Sequence, residues 1–561
     1  MNRSRPARRA GARARPPATP ATPPPAVSVD PHHERPLALV ATADHAPTEP
    51  VGAPPDTLAL GDHVEIARKL IDQLRAEAGT AASPVFDRGV LRNYDPTSGL
   101  WRDVPRHVLT QRVAAFSGAA IPRGETVAKL KLKSHDIAGT INVIYELVAR
   151  PGFFDAAPVG VTFANGFVRL DPADPTRLEL AGHSPDHRAT YALAFDYDPA
   201  AEAPGWQRFL DDVFTHPSEL VPEDQGGATT AERAALAVDR HQRIDVLEEW
   251  IGACLLGTVV KYQVVIALHG EGSNGKSVFL EVVRNLFSPA LVRSIRPQKW
   301  SDKFTTAGLD GCLVNMVNEV PATEISASDV FKSMIAGDAI GGEKKYKDPY
   351  TFKPRAGHIF AFNKFPGTDD QSHGFWRRWI VLLFERLFDE RNANKNLTAA
   401  LTTPDELCGI AARVLRAVAR LEARGHLVIP ASAEDAKAEW RMDADQVMQF
   451  VAECCDTCHL THTQDCGAED DLCHAMHCER HRVDKEDLYP LYQAWAKACG
   501  NKPLARKMLL SRLKSLGYAR RKTKERWYAL AMRAGARARY LGGQAESEHR
   551  AWLPRRPKFE C

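Results

Sequence analysis

No stretch of this chain is apolar for the roughly 18 residues that a membrane-crossing helix needs. The amino end lacks the apolar core of a secretory signal. It is Arg-rich and acid-free like a transit peptide, but its prolines would break the amphipathic helix such a peptide forms. No acidic residue precedes Asp30, although Arg3, Arg5, Arg8, Arg9, Arg13 and Arg15 do. No internal repeat is visible, which excludes a solenoid or propeller. These absences remove membrane-spanning, secreted and repeat architectures and leave a cytoplasmic chain. There the 11 Cys would be reduced, and their clustering would mean metal rather than disulfides.

The 561 residues suffice for about three domains. Hydrophobic content of 44% and charged content of 25% are ordinary for a globular protein. The net charge of +3 is unevenly spread: from Asn501 to Cys561 there are 17 Lys or Arg against 4 Glu. Such asymmetry suits a polyanion, nucleic acid above all, or else simply solvates two tails.

Eight residues carry the most chemistry: Gly270, Glu271, Gly272, Ser273, Asn274, Gly275, Lys276 and Ser277. They fit G-x-x-x-x-G-K-[ST], a loop whose backbone N–H groups turn inward onto a triphosphate. Lys276 would reach the terminal phosphates of ATP and Ser277 would hold Mg²⁺. The apolar run 264–268 ahead of the loop reads as a buried strand, and 278–287 behind it reads as a helix. The spacing also predicts helices over 63–78 and 229–256, and short strands over 161–170 and 190–195.

Further motifs follow. The strand 312–317 ends in Asn318-Glu319, where a carboxylate could orient the water that attacks the γ-phosphate, or could be an ordinary strand-end glutamate. The strand 358–363 ends in Asn363, a candidate γ-phosphate sensor or a turn-former before Lys364-Phe365-Pro366. Arg377 and Arg378, between Trp376 and Trp379, offer a guanidinium finger, or surface arginines stacked on tryptophans. The Gly-rich segment 337–347 presents Lys344, Lys345, Tyr346 and Lys347, which suits contact with a nucleic-acid backbone.

Taken together these motifs resemble a superfamily 3 helicase, and more narrowly the phage and plasmid primase-helicase family. Outside the core, Tyr94-Asp95-Pro96, Gly99, Trp101, Asn165-Gly166, Tyr197-Asp198-Pro199, Pro204 and Trp206 resemble its helicase-associated domain, while Leu488-Tyr489, Trp495 and 514–518 resemble a winged-helix segment. The resemblance implies an α/β fold: a P-loop AAA+-like ATPase core with an α+β N-terminal helicase-associated domain and a C-terminal winged-helix-like domain. It implies a homo-hexamer that hydrolyses ATP, translocates on single-stranded DNA and opens forked DNA. Lys276, Ser277, Glu319 and Asn363 would then serve the nucleotide, Arg377 or Arg378 would act on a neighbour's nucleotide, and Lys344 and Lys345 would lie on the DNA-facing loop. Asn318 departs from the aspartate that many related ATPases carry.

The expected division is a disordered tail (1–60), a helicase-associated domain (61–228), an ATPase domain (229–400), a helical connector (401–440), a winged-helix-like domain (441–545) and a basic tail (546–561). In the last domain 504–518 reads as a recognition helix and 520–528 as a wing, with Arg506, Lys507, Arg512, Lys514, Arg520, Arg521, Lys522, Lys524 and Arg526 toward phosphates, or else as a basic surface with no docking role. Asp196 and Asp198 imitate the paired carboxylates of a primase, but no Ser-x-His partner follows them. Between 454 and 481 six Cys and five His crowd together; Cys455, Cys458, Cys473 and Cys478 have zinc-ligand spacing, and the alternative is a variable polar loop. The competing functional readings are a DNA-binding replication initiator on a degenerate ATPase scaffold and a primase-helicase with residual primase activity.

Overall fold

The apolar runs at 264–268, 312–317 and 358–363, together with the run after Arg378, lie side by side in one parallel sheet. The computed structural model describes residues 57–541, except 322–324, 326–327, 344, 346–348, 369, 390–393, 458–481, 521–525 and 529. The strands are β1 (Val265–His269), β2 (Val292–Arg293), β3 (Val314–Val317), β4 (Gly357–Phe362) and β5 (Trp379–Leu383). Their order is β2-β3-β4-β1-β5 and every pairing is parallel. β2 is the strand that the apolar pattern did not reveal; it pairs over only two residues.

A parallel sheet needs cover on both faces, which is why these strands are apolar without alternation. Ile266, Leu268, Ile359, Ala361, Ile380 and Leu382 enter one buried cluster. Their neighbours Val265, Ala267, Phe360, Phe362, Trp379 and Val381 enter another. The first face is covered by helices α1 (Pro204–Val213), α2 (Thr230–Leu256), α3 (Lys276–Leu286) and α4 (Pro404–Arg424). The second is covered by Trp300, by Phe331 and Met334 of the helix Ser328–Ala336, and by Trp440.

α2 starts and stops as its sequence dictates. Thr229 and Glu232 form a reciprocal capping box at its head, and Gly257 closes it at φ 72°. Its inner face carries two buried carboxylates, each paired with an arginine of α4: Glu248 with Arg413, and Glu249 with Arg424 at 2.6 Å. Glu248 also accepts from the Trp206 indole at 3.2 Å. Trp206 stacks on Phe279 of α3, with 5.5 Å between ring centres. Thus α1 is bolted to the helix that follows the phosphate-type loop.

The N-terminal part joins the helix His63–Ala78 to small antiparallel sheets. The Asp95–Gly99 turn forms as its composition dictates, with Asp95 accepting from Thr97 N–H at 3.0 Å and Ser98 Oγ at 2.6 Å. The hairpin Val161–Phe163/Gly166–Leu170 forms within the expected strand region. Residues 190–195 do not make a strand. The segment bends at 190 and at 194–195, and Leu193 N–H and the Phe195 carbonyl bond to the hairpin at 2.8 and 3.1 Å.

Near the C-terminus the helices Gln446–Cys454, Lys485–Ala498 and Arg506–Ser515 share one apolar cluster. A three-stranded sheet in the order Arg482–Asp484, Arg526–Tyr528, Ala519–Arg520 lies beside them in sequence. The expected wing therefore has strands at both its ends, with 521–525 outside the described residues. Arg512 is not directed at phosphates: it forms an ion pair with the buried Asp445 at 2.6 Å. Asp445 also caps the helix Gln446–Cys454 through Val447 N–H and Met448 N–H, and Arg512 supplies the cation that its burial favours. The tails expected at 1–60 and 546–561 fall outside the described residues apart from 57–60. Among the described residues no helix is long and apolar enough to cross a membrane.

Candidate nucleotide-binding site

From β1 the chain crosses to the edge strand β2, returns through β3 to β4 beside β1, and then passes to β5 on β1's other side. The strand order reverses at β1, and ligands of open parallel sheets bind beyond the carboxyl ends of the strands at such a reversal. The Gly270–Ser277 loop occupies that position, between the end of β1 and the start of α3.

The loop is anchored on three sides. Gly270 N–H donates to Phe362 O at 3.2 Å, Asn274 Nδ2 to Phe384 O at 3.0 Å, and Phe388 N–H to Ser273 O at 2.7 Å. Gly275 has φ 88°, and a Cβ there would come 2.6 Å from Val213 Cγ1 of α1. Its lack of a side chain lets α1 pack against the loop.

Lys276 is 6% exposed. Its ammonium donates to Gly270 O at 2.6 Å and Asn274 Oδ1 at 3.0 Å, both neutral acceptors. Burial lowers its pKa to about 8, against the opposing pull of the Glu319 carboxylate. Glu319 is exposed just past β3, Asn363 is exposed just past β4, and Ser277 is exposed in the first turn of α3. Asn318 accepts a long 3.4 Å hydrogen bond from Arg284 of α3. The four functional candidates Lys276, Ser277, Glu319 and Asn363 therefore share the carboxyl end of the sheet. His269, the last residue of β1, was not singled out by its sequence. Its ring stacks on Phe365 at 3.9 Å, and burial, followed by Lys276, holds its pKa below the ordinary value.

A buried cation with only neutral partners, at the mouth of a loop of backbone N–H groups, fits a triphosphate. An exposed hydroxyl beside it, on Ser277, fits the magnesium ion that accompanies one.

Arg377 and Arg378 are elsewhere. They precede β5 at the amino end of the sheet, with Val265 N–H donating to Arg378 O at 2.7 Å. Five residues of strand, about 15 Å, separate that end from the loop. Arg378 is 7% exposed and donates to Gly374 O; burial, then Arg377, holds its pKa down. Arg377 is exposed and donates to Gln263 Oε1 at 2.8 Å. It lines a cleft of about 290 Å³ with Lys261 and Lys437. Those lysines are each held by a carboxylate, Glu422 at 2.6 Å and Glu434 at 2.7 Å, whereas Arg377 is held by an amide.

The expected DNA-facing segment is a hairpin, Ile340–Gly342 paired with Tyr350–Phe352, that feeds the amino end of β4. Lys345 is exposed at its tip, while Lys344 and Lys347 lie outside the described residues. Glu343 N–H donates to Lys303 O at 3.3 Å, docking the hairpin on the short helix Lys303–Thr306. That helix presents Phe304, 57% exposed, beside the hairpin. No periodic signal marks Phe304; an aromatic between Lys303 and two threonines is the only hint.

Of the expected zinc ligands, Cys458, Cys473 and Cys478 lie outside the described residues. Cys455 begins a strand paired with Leu530–Met532 and is buried in the C-terminal apolar cluster. Burial pushes its thiol well above the usual range. Among the described residues no three His, Cys, Asp or Glu are grouped to hold a metal, and Asp196 and Asp198 join no such group.

Two family descriptions match the chain. Residues 90–215 match "D5 N terminal like", and residues 268–378 match a family of unknown function, DUF5906. The second span runs from the end of β1 to Arg378, and so contains the loop, Glu319, Asn363 and both arginines. The first agrees, over residues 90–215, with the phage and plasmid primase-helicase family that the sequence motifs resemble. No curated protein matches. Among solved structures, an A-form apo structure of the NrS-1 C-terminal region is similar at 12% identity, covering 84% of this chain and 99% of that one with a TM-score of 0.37. A second apo structure of that region gives 12%, 84%, 99% and 0.39.

Proposed function

We propose that the chain is an ATP-driven motor on single-stranded DNA, a helicase of superfamily 3 serving replication of a phage, plasmid or integrated element. The observation that carries this reading is the separation within one chain. Lys276 and Glu319 sit at the carboxyl end of the sheet, and the exposed Arg377 sits at the amino end. An arginine there is out of reach of its own loop and can serve the loop of a neighbouring subunit. A ring of identical subunits, a homo-hexamer in this reading, supplies that geometry at every interface.

Lys276 would hold the β- and γ-phosphates and Ser277 the magnesium ion, whose charge offsets that of the phosphates. Glu319 would accept a hydrogen bond from the attacking water and Asn363 would orient it. Arg377 from the neighbour would meet the charge that builds on the γ-phosphoryl oxygens. Arg378, buried and bonded to Gly374, would position the turn. Lys345 and Phe304 would face the strand, one on its phosphates and one on its bases.

ATP turnover with and without single-stranded DNA tests the assignment. Lys276→Ala should abolish turnover and fork opening, while Glu319→Gln should bind ATP without hydrolysing it. Full turnover by Lys276→Ala would remove the site.

A further inference from the structure

A cavity of about 450 Å³ opens between the strand Leu178–Ala181, the turn at Tyr197–Pro199 and helix α4. It shares no lining residue with the Arg377 cleft or the phosphate-type loop. Its size falls within the range of small-ligand sites. Arg416 and Arg420 reach it from one face of α4, a single turn apart. Arg416 donates to Pro199 O at 2.6 Å, a neutral acceptor. Arg420 meets Asp245 at 3.3 Å, and both of those side chains are more than half exposed, so the pair is weak. Leu178 and Leu180, two residues apart on one strand, form the apolar wall, with Leu180 43% exposed. Tyr197 is 4% exposed, and its phenol oxygen is buried without a hydrogen-bond partner. An orphaned buried hydroxyl is costly unless something else completes it.

Two under-used guanidinium groups, an apolar wall and a lining tyrosine whose buried hydroxyl is unsatisfied are complementary to an anion with a flat apolar body. We propose that this cavity binds a single nucleotide unit: its phosphate on Arg416 and Arg420, its base along Leu178, Leu180 and Pro199, and a polar base edge on the Tyr197 hydroxyl. The neighbouring carboxylates limit its charge. Asp245 contacts Arg420, and Asp198, though engaged by Ala200 N–H at 2.8 Å, lies next to Tyr197. They oppose a triphosphate and leave room for one phosphate, as in a residue of DNA or a free nucleoside monophosphate. The site is separate from the ATPase reading and survives its failure.

Binding of dTMP by calorimetry and of labelled trithymidylate by fluorescence anisotropy, both on the full chain, tests it. The Arg416→Ala/Arg420→Ala variant should lose at least about tenfold in affinity for one or both ligands, the scale of a lost charge-assisted pair of hydrogen bonds. The double Lys variant should recover part of it, and Tyr197→Phe should weaken binding severalfold. Loss confined to the trinucleotide identifies a DNA strand as the source; loss of dTMP binding identifies a free nucleotide. Unchanged affinity for both ligands in an alanine variant that melts like wild type overturns the proposal, as does binding of neither ligand by wild type. Should the double alanine variant not fold, Tyr197→Phe, which removes one oxygen, decides: unchanged affinity for both ligands overturns it. ATP turnover measured alongside separates this outcome from the fate of the ATPase assignment.

Discussion

Lys276 is a buried ammonium with neutral acceptors, and that sets its titration. Its pKa of about 8 lies below the ordinary 10.5 because burial disfavours the charge. Between those values the unfolded chain holds the proton more tightly than the folded one. Lys276 therefore contributes stability that grows with pH from about 8 to 10.5, while the buried thiols of Cys254 and Cys312, raised by burial, pull the other way; the difference between wild type and Lys276→Met in denaturant melts isolates the lysine's share. A bound triphosphate reverses the shift, so ATP binding at pH 8.5 should take up protons. Calorimetry in two buffers of different ionisation enthalpy measures that uptake; a buffer-independent heat would contradict it. The two adjacent arginines separate in the same way. Arg378→Ala should lower stability by about 2 kcal/mol, the scale of a buried charged hydrogen bond. Arg377→Ala should leave the melting temperature unchanged and remove hydrolysis. The loop at Gly270 was readable because its spacing encodes backbone geometry. The different fates of Arg377 and Arg378 were not, because burial depends on what packs against the turn before β5.

Among the elements, α2 and α4 are joined by two buried carboxylate–arginine pairs. Arg413→Ala would leave Glu248, 2% exposed, without its cation. That should cost about 3 kcal/mol, seen as a shift in the urea midpoint with an unchanged slope. The short helix bearing Phe304 makes a different prediction. Phe304→Ala should weaken single-stranded DNA binding by about 1–3 kcal/mol, the worth of one stacked base, in an anisotropy titration. Helices and buried strands were legible because period 3.6 and unbroken apolar runs are local properties. The two-residue β2 and the irregular segment 190–195 were not. β2 is too short to show a pattern, and 190–195 has strand-like composition but only isolated hydrogen bonds to the hairpin.

At the level of the whole molecule, the loop and the exposed arginine occupy opposite ends of one sheet. An isolated chain should therefore hydrolyse ATP slowly, and turnover should rise with protein concentration as subunits assemble. The sequence offered Lys276 and Arg377 as candidates, but it could not place them on opposite ends of a sheet; that follows from the parallel order β2-β3-β4-β1-β5. Mixing two inactive variants tests the shared site most directly. Lys276→Ala and Arg377→Ala are combined in equal amounts, co-assembly is verified, and DNA-stimulated ATP turnover is measured. Random assembly leaves about a quarter of the interfaces with both an intact lysine and an intact arginine, so activity should return to about that share of wild type. Co-assembled mixtures as inactive as either variant alone would contradict a site completed by the neighbouring subunit.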